Sequence, residues 1–128
     1  DATLWGSTAI LAYLALRYDK TEQWLPRDPV RFGQVMQWLE LAQNEIQSGL
    51  FQARAIVQFG LAGDLQAAQR IAGQALDVLD SRLRIEQWLA GPEPTIADIA
   101  CFPYVALAGA TRPSAPPAAC ASRNSTNT

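Results

Sequence analysis

The chain has 128 residues, 49% of them hydrophobic, enough for one modest core and too few for two full domains. Ten Lys and Arg stand against twelve Asp and Glu, a formal net charge of −2, which is not the cationic footprint that nucleic-acid backbones or anionic lipid surfaces select, so neither kind of partner is expected. There is no His, which removes the usual base of Ser-His-Asp and Cys-His catalysis, and two Cys, Cys101 and Cys120, support neither a zinc site nor a disulfide framework.

Apolar runs such as Ile10 to Leu16 fall far short of the roughly 20 residues that span a bilayer, and no charged segment followed by an apolar run opens the chain. No membrane role is expected, and the composition reads as cytoplasmic.

Near the N-terminus, Ile10, Leu11, Leu14 and Tyr18 recur at helical spacing behind Gly6 and Ser7, which predicts a helix over 7–18 with Ser7 as its N-cap. Leu4 and Trp5 are expected to end a strand, making the opening a strand, turn and helix cut off on its N-terminal side. Residues 19–29 carry two prolines and several turn formers and read as a linker between units.

From Val30 the helical pattern resumes. Val35, Leu39, Ala42, Ile46, Ala53, Ile56 and Val57 form one stripe along a helix of about 30 residues, which Gly49 is expected to bend and Gly60 to Gly63 to end. Asp64 has N-cap chemistry. Behind it Leu65, Ala68, Ile71, Ala72, Ala75, Leu76, Leu79 and Leu83 predict a second long helix ending near Trp88 and Leu89, antiparallel to the first.

After a loop over 90–94, Thr95-Ile96-Ala97-Asp98 predicts a capping box: the Thr95 hydroxyl accepts from the Asp98 N–H and the Asp98 carboxylate from the Thr95 N–H. Pro94 and Ile99 are placed as a hydrophobic staple, and Pro103 is expected to perturb the helix that follows. Past Gly109 no Leu, Ile, Val or aromatic residue occurs, so 109–128 is expected to be a disordered tail.

Candidate sites are few. The first amides of the helix at Ser7 have no intrahelical partners and can attract a carboxylate or phosphate, although an ordinary helix start explains the same residues. Met36, Gln43, Gln47, Phe51, Arg54 and Gln58 share a second face of the long helix that is either solvated surface or the wall of a cleft or subunit contact. Trp24, Trp38 and Trp88 are expected in core or interface positions. Cys101 is expected to be an inert core thiol, and Thr95 and Asp98 structural.

Leu4-Trp5-Gly6-Ser7-Thr8-Ala9-Ile10-Leu11-Ala12-Tyr13-Leu14-Ala15 resembles the end of the thioredoxin-like domain of cytosolic glutathione transferases. Trp88-Leu89-Ala90-Gly91 followed by Pro94-Thr95-Ile96-Ala97-Asp98-Ile99-Ala100 resembles the capping-box start of the buried helix in that family's all-helical C-terminal domain. The resemblance spans residues 3–108. It implies an all-α fold, with a thioredoxin-like remnant at 1–18, a linker at 19–29 and a helical domain at 30–108.

By the same resemblance, Ser7 contacts the γ-glutamyl end of glutathione, the co-substrate, and the helical domain forms one wall of the electrophile pocket. The family varies too much over residues 36–58 for a residue-by-residue transfer, so Met36, Gln43, Gln47, Phe51 and Arg54 are expected as pocket or dimer contacts from their shared helix face alone. Gly6 stands where the family has Glu or Asp. The family's thiol-activating residue lies upstream of every position present, so no catalytic residue is assigned and the chain alone is expected to be inactive. The intact protein is expected to be a homodimer acting on a small electrophile. The family would continue with further helices after Ala108, so the tail reads as foreign to it, as a shifted reading frame would produce. The alternative is a helical interaction or ligand-binding module without transferase chemistry.

Overall fold

The computed structural model describes residues 3–111. The expected tail lies outside them except for its first three residues, and Cys120 lies outside entirely. Helix α1 spans Ser7–Tyr18, but its N-cap is Gly6, at φ 88°, and Ser7 makes no capping bond. The chain enters the helix through a left-handed backbone angle that glycine adopts without a Cβ clash, so the turn falls one residue earlier than the side-chain chemistry of Ser7 suggested. Leu4 and Trp5 are exposed and form no strand, because no partner segment among the described residues can take up their backbone hydrogen bonds.

Beyond α1 the Asp19 carboxylate folds the segment over residues 19–24. It accepts from the Thr21 hydroxyl, from the Thr21 N–H at 2.8 Å and from the Trp24 N–H at 2.9 Å. The Thr21 hydroxyl, and after it the Trp24 amide, hold its carboxyl below the usual carboxylate range. The Trp24 carbonyl accepts from the Ile96 N–H at 3.0 Å, which pins this segment to the start of the last long helix.

Helix α2, Pro29–Leu41, starts as Asp28 and Pro29 dictate: the Asp28 carboxylate accepts from the Arg31 N–H at 3.0 Å, and Pro occupies the first helical position. The expected single long helix then divides. Residues Ala42–Phe51 form a π-helix, and α3, Gln52–Phe59, completes the rod before Gly60 ends it at φ 65°. Gly49 provides a close approach rather than a bend, since a Cβ there would sit 2.5 Å from the Ala72 nitrogen.

Helix α4, Leu65–Leu83, is capped by Asp64, whose carboxylate accepts from the Ala67 N–H at 2.9 Å. It stops short of Trp88. Arg82 Nε instead donates to the Leu89 carbonyl at 2.9 Å and draws the following chain back across the helix end, where Trp88 and Gly91 form a bridge.

Helix α5, Ile96–Ala106, opens on the capping box as read, with Pro103 carried inside it, and a short 3-10 turn covers Ala108–Thr111. The core lies where these helices meet, around Val35, Leu39, Ile46, Leu79, Ile96 and Cys101. Trp38 is buried and Trp88 half-buried, whereas Trp24 lies at the surface edge of the core.

Candidate functional site

Two open grooves flank the start of α1. The larger, about 640 Å³, runs between α1 and α2 and is lined by Thr8, Ala9 and Ala12 on one side and by Met36, Glu40 and Gln43 on the other. The second, about 380 Å³, lies between α1 and α5 and is bounded by Ser7, Ile10, Ile99, Pro103 and Tyr104. Ser7 stands at the junction. Gln43 Nε2 donates to Ser7 Oγ at 3.4 Å, a long bond that nevertheless ties residues 36 positions apart.

This arrangement brings together Ser7, Met36 and Gln43. Gln47 lines an adjoining polar groove that it shares with Gln43. Phe51 lines neither groove but meets Tyr104, a wall of the second, edge to face at 6.1 Å between ring centroids. Arg54 is separate from the group, its guanidinium 5.8 Å from the centre of the Phe59 ring. Gln58 is exposed at the end of the rod. The face expected to act as one wall is divided because the π-helix alters the angular relation of residues before and after it.

Chemically, the junction offers an anion site built from the free first-turn amides of α1 and the Ser7 hydroxyl. A carboxylate, Glu40, lines the same groove as Thr8 and Gln43. Glu40 and Tyr104 were missed in the sequence: Glu40 precedes Gln43 by three residues, a spacing that puts both on one helix face, while Tyr104 hid in an apolar run. Thr95 is fully buried, and its N–H donates to Asp98 Oδ2 at 2.8 Å while its Oγ1 accepts from the Ala97 N–H at 3.2 Å; together they form the capping box of α5. Burial, with the Asp98 charge nearby, pushes the Cys101 thiol up to about 12, so it is no nucleophile near neutral pH. No group of three or more potential metal ligands occurs among the described residues, and none of their helices is long and apolar enough to cross a membrane.

The family model for the glutathione S-transferase C-terminal domain matches residues 50–125, a stretch that includes α3 to α5 and continues past the described residues. Glutathione S-transferase GstB of Escherichia coli (strain K12) is 25% identical over 114 residues, covering 82% of this chain and 52% of the relative. The glutathione S-transferase of Pseudomonas fluorescens [Pf-5], a solved structure, aligns with a TM-score of 0.74 at 32% identity over 84% of this chain and 54% of its own. The chain thus spans about half the length of these relatives. A valine–tRNA ligase of Rattus norvegicus is 39% identical over 76 residues, 57% of this chain and 6% of the ligase.

Proposed function

The chain belongs to the glutathione S-transferase family, and we propose that it forms the helical part of an enzyme that presents the glutathione thiol to a small electrophile. Glutathione's γ-glutamyl carboxylate is received at the start of α1 by the Ser7 hydroxyl and the amides behind it. The observation that carries this is the Ser7–Gln43 junction, where an exposed helix start, an oriented hydroxyl and a groove with a carboxylate meet. Met36 and Gln43 belong to that groove. Gln47, Phe51 and Arg54 are assigned to electrophile-pocket or dimer contacts of the intact protein, which acts as a cytoplasmic homodimer.

Thiol activation is a separate task, in which a hydrogen bond to the thiolate lowers its pKa. No described residue is assigned that role, and the chain by itself is proposed not to conjugate glutathione. The test is retention on immobilised glutathione together with a conjugation assay. Retention that free glutathione reverses, without turnover, is the expected result; no retention contradicts the reading.

A second reading is favoured by the tRNA ligase match, in which a segment like this one forms a small share of a large protein. A non-catalytic helical interaction module would bind a protein partner in a way that glutathione does not compete with.

A further inference from the structure

The π-helix Ala42–Phe51 lies between two contacts that fix its ends, and we infer that Asn44 and Ser48 hold it in this wider form so that Gln43 meets Ser7 while Gly49 meets α4. In an α-helix each N–H is bonded to the carbonyl four residues back. Here the Gln52 N–H reaches the Gln47 carbonyl, five residues back. Two side chains take acceptors that the α pattern would use: Asn44 Nδ2 donates to the Glu40 carbonyl at 3.1 Å, and Ser48 Oγ to the Asn44 carbonyl at 2.8 Å. Such back-bonding competes with the main-chain ladder and loosens it.

The contact on the C-terminal side is rigid. A Cβ at Gly49 would lie 2.5 Å from the Ala72 nitrogen and 2.7 Å from its Cα, so residue 49 has to face α4. On the N-terminal side Gln43 faces Ser7. An α-helix turns about 100° per residue, and the wider helix turns less. With Gly49 anchored, reversion to an α-helix rotates Gln43 away from α1 by about one residue's turn.

The register has a chemical consequence. An amide donating to Ser7 Oγ occupies one lone pair and leaves the Ser7 O–H free to donate to a carboxylate. Gln43 is therefore a positioning residue for the Ser7 hydroxyl, and Asn44 and Ser48 position Gln43. Only the step from Ser7 to glutathione rests on the proposed function; the register argument stands without it.

The test uses the full 128-residue chain, its Asn44→Ala/Ser48→Ala double variant and Ser48→Thr, which keeps the hydroxyl. Through-hydrogen-bond NMR couplings over residues 42–52 read the bonding pattern, nuclear Overhauser contacts read the Ser7–Gln43 approach, and glutathione serves as the probe ligand. The double variant is expected to adopt four-residue bonding, to lose the Ser7–Gln43 contact and to bind glutathione about fivefold more weakly, while remaining folded because Ala is the best helix former. Ser48→Thr is expected to keep the wild-type pattern and contact.

Four-residue bonding in the wild-type chain, five-residue bonding that persists in the double variant, or a Ser7–Gln43 contact that survives the change would each overturn the inference. If the register changes as expected but neither wild type nor variant binds glutathione, the functional reading fails and the register inference stands.

Discussion

Asp98 serves two neighbours at once. Its Oδ2 accepts from the Thr95 N–H and hydroxyl and its Oδ1 from the Leu89 N–H at 3.0 Å, so one carboxylate fixes both the start of α5 and the loop before it. Asp98→Ala leaves those amides unpaired in a part-buried setting and is expected to cost about 2–4 kcal/mol. Thr95→Ala removes a single cap and is expected to cost about 1–2 kcal/mol. Urea midpoints compare the two. Ser7 lies at the opposite extreme, exposed and without a capping bond. Ser7→Ala is expected to change stability by less than about 0.5 kcal/mol while weakening glutathione binding about tenfold, a split that separates ligand contact from folding.

Cys101 carries a pH dependence. Its folded pKa, about 12, lies above the ordinary 9.0. Below pH 9 the thiol is neutral in both folded and unfolded chains; between 9 and 12 only the unfolded thiol ionises. Stability is therefore retained below pH 9 and lost as pH rises beyond it. In a Cys120→Ser chain, alkylation at pH 8 is expected to be slow when folded and fast in urea; fast labelling of the folded chain contradicts this burial.

At the scale of elements, helix starts were legible where a side chain makes the cap. Asp64 and the Thr95–Asp98 box were read directly because their carboxylates and hydroxyl bond amides two or three residues away. The start of α1 was misplaced because a backbone angle at Gly6 decides it. The π-helix left no mark in the apolar stripe: Ala42, Ile46 and Ala53 keep a spacing that an α-helix shares, and only Asn44, Ser48 and Gly49 hint at it. The end of α4 depended on the Arg82–Leu89 bond, a tertiary contact with no local signal. Two glycine variants test the packing. Gly49→Ala drives a Cβ into the α4 backbone and is expected to cost about 3 kcal/mol or more, whereas at Gly73, where a Cβ meets open space, alanine is expected to stabilise by about 0.5–1 kcal/mol.

For the whole molecule, the all-α character and the family signature of α5 were legible because they rest on local periodicity and capping. The site was legible only in part. Ser7 and Gln43 are 36 residues apart, and their pairing comes from α1 and the π-helix each packing on α5. Helix α1 leaves Ile10, Tyr13, Leu14, Leu16 and Tyr18 exposed, an apolar face of the kind that marks an interaction surface. Sedimentation of the chain is accordingly expected to depend on concentration, and a monomer unchanged from micromolar to millimolar would argue against it.

A residue-resolved NMR titration of the 128-residue chain with glutathione reads the Ser7 site directly. Saturable shifts centred on Ser7, Thr8, Ala9 and the Gln43 side chain, absent in Ser7→Ala, are expected if glutathione binds at the start of α1. Shifts centred on α4 and α5, or none at millimolar glutathione, would contradict it.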